Sequence, residues 1–292
     1  MNTESKASRQ ALTASMLVFG TIGIFRKYIP LSSGMLAMLR GIIGMAFLLL
    51  LVKLRHQALS RQAVRENLRK LLLSGVLIGL NWIALFEAYQ YTTVAVATLC
   101  YYMAPVIVIL ASPLVLREKL TAKKLVCAAL AFLGMILVSG VFSGEALPAG
   151  NLKGILLGLT AACLYACVVL INKKLGPIGA YDKTIVQLGA AALILVPYNL
   201  LTAGGSQTPI TWTTAALVAI VGILHTGIAY ALYFGSMDGL KAQTVALYSY
   251  IDPVTAIILS MLVFHESMGL PGFLGAALIL GSTLASDLLN GR

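Results

Sequence analysis

Asp252 stands inside ALYSYIDPVTAIIL (246–259), a stretch with no other charge, and Pro253 follows it directly. A carboxylate in such surroundings can hold a cationic amine, or it can take up and release a proton. Arg40, in GMLAMLRGIIGM (34–45), is its chemical counterpart, because a guanidinium grips a carboxylate through two parallel N–H donors. Ionisable groups at such positions are costly in hydrocarbon and mark functional sites by default. Two readings stay open for the pair. Asp252 and Arg40 either form a buried ion pair that only fixes packing, or bind the opposite ends of a small ligand. His225 is either a hydrogen-bonded helix residue or a further ligand. Asn81 and Trp82, adjacent in the chain, stand mid-way along another apolar run. Tyr101, Tyr102, Tyr248 and Tyr250 flank two prolines, and their hydroxyls need partners, so they are expected to face protein or a wet cavity. No other reactive set stands out. The three histidines are dispersed, there is no Gly-rich phosphate loop, and Cys163 and Cys167 have no further Cys or His at ligand spacing. The cysteines read as small packing residues, and the expectation is no enzyme, no metal and no cofactor.

The elements that must position these groups follow from composition. Of 292 residues, 59% are hydrophobic and 11% charged, where soluble domains run near 45–50% and 25%. The chain therefore reads as an all-α membrane protein. Runs long enough to cross a bilayer fall at about 11–28, 33–52, 71–90, 94–116, 123–141, 154–172, 184–203, 211–236, 242–264 and 270–289. Ten transmembrane helices are predicted. With the N-terminus inside, 17 of the 21 Lys and Arg face the cytoplasm, Arg26, Lys27 and Lys153 face out, and Arg40 lies within a span. That asymmetry predicts a multi-pass protein of the cytoplasmic membrane with both termini inside. It also accounts for the net charge of +11 without nucleic acid. At about 1.5 Å per residue, Asp252 and His225 reach similar depths near mid-membrane. Arg26 and Glu87 fall at the outer ends of spans one and three and are expected to pair as an outer gate.

The chain is a repeat. Shifted by 148 residues, ATLCYYMAPVIVILASPLVLREKLT (97–121) falls on VALYSYIDPVTAIILSMLVFHESMG (245–269), matching Tyr102 to Tyr250, Pro105 to Pro253 and Glu118 to Glu266. Pro105 and Pro253 predict paired helix bends. Glu118 and Glu266 are expected to accept from the free N–H groups opening the next helix. Five spans per repeat, an odd number, require the second copy (150–290) to sit upside down relative to the first (10–142), an architecture of membrane carriers. Asp252 falls where the first copy has Ala104. The doubled unit, carried by the block 81–121 and its weaker copy 229–269, resembles the drug/metabolite transporter superfamily, specifically its EamA-type members. The resemblance implies a secondary carrier of small metabolites, often an exporter of amino acids and related compounds. It also implies alternating access, working as a monomer in the lipid bilayer, with protons as a candidate coupling ion. A multidrug or organic-cation exporter of the same fold, and a channel, remain as alternatives.

Overall fold

A computed structural model describes residues 3–92, 94–138, 151–202, 211–264 and 270–290, and these are helical almost throughout. The helices are α1 (Thr3–Gly20), α2 (Ile22–Lys27), α3 (Ser33–Leu54), α4 (Arg61–Tyr91), α5 (Val94–Tyr101), α6 (Ala104–Leu116) and α7 (Ala122–Val138). They continue as α8 (Asn151–Lys173), α9 (Ala180–Thr202), α10 (Trp212–Ile220), α11 (Ala229–Ser236), α12 (Ala242–Tyr248), α13 (Ile251–Phe264) and α14 (Leu270–Asn290). A π-helical stretch, Val221–Ile228, joins α10 to α11. Among the described residues, six segments are each long and apolar enough to cross a bilayer: Ser33–Leu54, Arg61–Tyr91, Val96–Leu116, Asn151–Lys173, Ala180–Thr202 and Trp212–Gly239.

Three expectations change at this level. The basic stretch 53–70 is only partly a loop. Ser60 accepts from the Ala63 N–H (3.3 Å) as an N-cap, so α4 already starts at Arg61 and carries its basic turns beyond the apolar run. The first predicted span breaks at Thr21, between α1 and α2. Pro105 and Pro253 do not kink continuous helices: each stands in the first turn of a new one, α6 and α13, where a missing N–H costs nothing. Glu266 and most of the 142–153 connection lie outside the described residues.

Packing is led by close backbone approach. A Cβ on Gly75 of α4 would lie 2.5 Å from the Gln187 carbonyl oxygen, and one on Gly79 would lie 3.0 Å from that of Ala191. This small-xxx-small seam seats α4 on α9, since lipid gives helices no hydrophobic reason to associate. Polar groups close the same seam: Gln187 Nε2 donates to Ser74 Oγ (2.9 Å) and Asn172 Oδ1 (3.0 Å), joining α4, α8 and α9. Elsewhere α7 packs along α14, α3 along α9 and the π-helical stretch, α1 along α11 and α13, and α6 along both α8 and α12.

Polar contacts sort to the two ends of the bundle. At one end Lys173 Nζ donates to the carbonyls of Met237 (2.6 Å) and Leu240 (2.5 Å), and the fully buried Lys183 pairs with Asp238 at 2.9 Å. At the other end Tyr198 donates to Glu87 (2.8 Å), Asn199 donates to the Gly34 carbonyl (3.1 Å), and Thr92 bonds to Asn151.

Candidate functional site at the crossing of two broken helices

The two interrupted helices, α5–α6 and α12–α13, cross at their breaks. The first breaks at Tyr102–Met103, the second at Ser249–Tyr250. Tyr250 is fully buried and donates to the Tyr102 carbonyl at 3.0 Å. The Tyr102 hydroxyl in turn donates to Asp252 Oδ2 at 3.3 Å, and the two rings lie 6.3 Å apart. Further along, the carboxylate of Glu118, just past α6, accepts from the backbone N–H groups of Ala242 (2.8 Å) and Gln243 (3.4 Å). Residue 102 thus meets 250–252 while residue 118 meets 242, so the two helix pairs run in opposite directions.

Asp252 enters this crossing because α1 ends in glycine. A Cβ at Gly20 would fall 2.5 Å from Thr255 Cβ and 2.7 Å from the Asp252 carbonyl oxygen, so only glycine lets α1 end directly on the first turn of α13. Among the described residues Asp252 has no ion-pair partner. The buried Asp252–Arg40 pair considered from sequence is not formed. Arg40 instead lies over the Trp82 ring, its Cζ 4.3 Å from the centroid, and its buried Nε has no hydrogen-bond partner among the described residues.

Aromatic rings fill the ground between. Tyr230 sits edge-on to Trp82 (6.2 Å) and to Phe19 (5.1 Å). Phe19 also meets Tyr233 (6.1 Å), Tyr233 stacks on Tyr165 (6.2 Å), and Tyr165 meets Tyr101 (5.8 Å), which neighbours Tyr102 (5.7 Å). A guanidinium therefore stands at one end of an aromatic wall and a carboxylate at the other.

His225 is fully buried in the π-helical stretch, with Nε2 2.7 Å from Thr21 Oγ1 and its ring 4.8 Å from Phe25. Thr21 Oγ1 also lies 2.8 Å from the Val18 carbonyl oxygen, and which atom donates in the Thr21–His225 hydrogen bond depends on the imidazole tautomer.

Several sequence-predicted residues lie elsewhere. Asn81 donates to the Ala161 carbonyl (2.7 Å) and is buried, so it fastens α4 to α8. Tyr248 lines a groove against α1. Arg26 and Glu87 are not paired: Arg26 Nη1 donates to the Ile29 carbonyl (2.6 Å), while Glu87 accepts from Tyr198. Depth alone brought them level, and each found a nearer partner. Glu118 caps α12, in the other half of the chain, because Thr121 accepts from the Lys124 N–H (3.4 Å) and takes over the start of α7. Cys163 and Cys167 are exposed on α8 and do not serve as packing residues. Sequence reasoning passed over Tyr165, Lys124 and Gln243. Lys124 Nζ donates to Gln243 Oε1 (2.6 Å), and Gln243 Nε2 donates to Ser112 Oγ (2.7 Å). An amide two residues into an apolar span was the available signal for Gln243.

The chain matches the family model described as the EamA-like transporter family twice, over residues 10–140 and 152–286. The chain belongs to that family. An uncharacterised transporter of Bacillus subtilis (strain 168), YxxF, is 30% identical over 87% of this chain and 83% of its own. One from Archaeoglobus fulgidus is 28% identical over 94% of each chain. Protein PecM of Dickeya dadantii (strain 3937) is 25% identical over 74% of this chain and 72% of its own. A protein of known crystal structure superposes with a TM-score of 0.85, covering 98% of this chain and 97% of its own at 21% identity, a likeness of fold alone. As an EamA-type member of the drug/metabolite transporter superfamily, the chain is a multi-pass membrane transporter.

Proposed function

We propose that the chain is a secondary carrier for a small amino-acid-like or amphipathic metabolite. It works by alternating access between two inverted five-span repeats, 10–142 and 150–290, and has no enzymatic activity. One observation carries this reading. Tyr102 and Tyr250 are repeat copies of one another, 148 residues apart, and they touch. A residue that contacts its own copy lies on the axis relating the copies, as in any two-fold interface. The antiparallel crossing of the broken helices supports an axis in the membrane plane. Carriers bind their cargo at such an axis, near the midplane, on discontinuous helices. The ten spans, with α1–α2, α7, α12–α13 and α14 as the four beyond the long apolar segments, agree with this arrangement. The gathering of Glu118, Lys124, Lys173, Lys183 and Asp238 at one end agrees with a cytoplasmic end there.

In this reading Arg40 recognises a carboxylate, Trp82 and Tyr230 with their neighbours take an apolar body, and Asp252 takes a proton or an amine. The energy source is an ion gradient or exchange. The carrier runs as a monomer, and export is the favoured direction. The separation of Arg40 from Asp252 favours two independent subsites and gives weight to a second cargo class, an organic cation bound through Asp252 alone.

The test is a thermal-shift screen of purified protein against a metabolite set, followed by counterflow in proteoliposomes. A ligand of the folded state raises apparent stability by mass action. The expected result is a stabilising metabolite that also drives saturable counterflow. Flux that neither saturates nor shows counterflow would overturn the carrier reading in favour of a channel.

A further inference from the structure

Gln243 stands in the first turn of α12, and three residues of the first repeat hold it. Its Oε1 accepts from Lys124 Nζ (2.6 Å), its Nε2 donates to Ser112 Oγ (2.7 Å), and its backbone N–H donates to Glu118 Oε2 (3.4 Å). The Ser112 hydroxyl in turn donates to the Ile109 carbonyl (3.0 Å). Gln243 and Ser112 are fully buried and Lys124 is 5% exposed, so protein surrounds this chain of bonds where α6 packs along α12. Lys173 and Lys183, at the same end, bond instead to Met237, Leu240 and Asp238, all within the second repeat. Those contacts do not tie one repeat to the other, whereas the bonds of Gln243 do.

The repeat register gives the residue types that the same set would have at the opposite end. At the shift of 148, Ser112 and Glu118 match Ser260 and Glu266, but Lys124 matches Gly272 and Gln243 matches Ala95. The register holds through this stretch, because Ala128, Ala129 and Leu130 match Ala276, Ala277 and Leu278. Neither Gly272 nor Ala95 carries a hydrogen-bonding side chain. The chain of ammonium, amide and hydroxyl therefore has no copy. Inverted repeats close each end in turn with matching elements. Closure at the Gln243 end gains two side-chain bonds that closure at the other end lacks, one of them from a charged group. A hydrogen bond to a charged group shifts an equilibrium by about tenfold or more.

We propose that Gln243, Lys124 and Ser112 form a one-sided latch, which makes the conformation closed at this end the resting state of the carrier. The proposal rests on the carrier reading and its inverted repeats. With this end in the cytoplasm, the resting site faces outward. Opening inward draws Gln243 away from all three partners at once, so the cargo or ion that drives it must prefer the opened form.

The test reads distances by double electron–electron resonance on the intact protein in detergent, without cargo. Spin labels go on Lys119→Cys and Lys241→Cys, exposed positions on the two sides of the latch, in a background without the four native thiols. The expected wild-type distribution is dominated by one short distance. Gln243→Ala, which installs the residue of the copy position, and Lys124→Met should each raise a longer-distance population on the order of tenfold. Lys124→Arg, which keeps a donor for Oε1, should retain the wild-type distribution. So should Asn172→Ala, which removes an amide from the seam of α4, α8 and α9. Equal opening in Asn172→Ala would assign the effect to general loosening and overturn the latch. Wild-type distances in both Gln243→Ala and Lys124→Met would also overturn it, as would a wild type divided evenly between the two distances. Each of these results leaves the carrier reading standing, since that reading falls only with the loss of saturable counterflow.

Discussion

Two charges stand in the apolar interior without countering one another, and each invites a separate test. Asp252 accepts from the Tyr102 hydroxyl. Asp252→Asn preserves shape and that contact while removing the titrating proton. In proteoliposomes the substitution is expected to abolish pH-driven accumulation and flatten its pH dependence, while exchange of bound substrate persists. Full concentrative uptake with an unaltered pH profile would reduce the carboxylate to a structural role. Arg40 gives the opposite signature to an ion-pair residue. Removing one member of a buried pair costs about 3–5 kcal/mol, but Arg40 has no acidic partner among the described residues and lies on the Trp82 face, worth about 0.5–2 kcal/mol, beside the Tyr230 hydroxyl. Arg40→Met should therefore leave the unfolding midpoint within a few degrees of wild type, yet abolish recognition of carboxylate-bearing ligands in the thermal-shift screen. A collapse of stability would mean that the guanidinium has an acidic partner after all.

The helix interruptions were legible in part. Pro105 and Pro253 at matched positions announced two irregular points, but a proline reads the same at a kink and in a first turn, and only the neighbouring backbone decides between them. Glu118 marks the same limit. Its place at the end of a predicted span suggested a cap for the next helix, α7, whereas the helix it caps is α12, over a hundred residues away. Long-range partners of this kind leave no periodic trace in one sequence. Arg26 and Glu87 were aligned by depth, and depth says nothing about azimuth around the bundle. The contribution of Glu118 can be measured. An N-terminal capping side chain is worth about 0.5–2 kcal/mol, and a carboxylate adds about 0.3–1 kcal/mol through the helix dipole. Glu118→Ala is expected to destabilise by about 1–2 kcal/mol in reversible detergent unfolding, and Glu118→Gln, which keeps one acceptor oxygen, by about half of that. Identical values for the two would assign the loss to side-chain packing.

For the whole molecule, the proposed inverted arrangement with both termini inside makes a sided claim. Single cysteines introduced at Gln57 and Tyr28, in a background without the four native thiols, should respond oppositely to an impermeant maleimide on intact cells. Position 28 should label from outside, and position 57 only after permeabilisation. Labelling of position 57 from outside would invert the topology and remove the cytoplasmic placement of both termini. Composition and charge asymmetry carried this expectation almost unaided. Hydropathy is a property of each segment alone, whereas the Ser74–Asn172–Gln187 seam and the Tyr102–Tyr250 contact depend on which segments meet.

The tie between Glu118 and α12 also has a history within the life of each molecule. The two partners are 124 residues apart in the chain, and the first half leaves the ribosome long before its counterpart exists. At about 5–20 residues per second, Glu118, Ser112 and Lys124 wait roughly 6–25 s for Ala242 and Gln243 to be made. During that interval a carboxylate, a hydroxyl and an ammonium lack the partners they hold in the finished transporter. The nascent first half is therefore a client for whatever protein shelters unfinished membrane helices. Synthesised alone, residues 1–142 should be cleared quickly by membrane proteases, and co-expression of the second half as a separate chain should protect them.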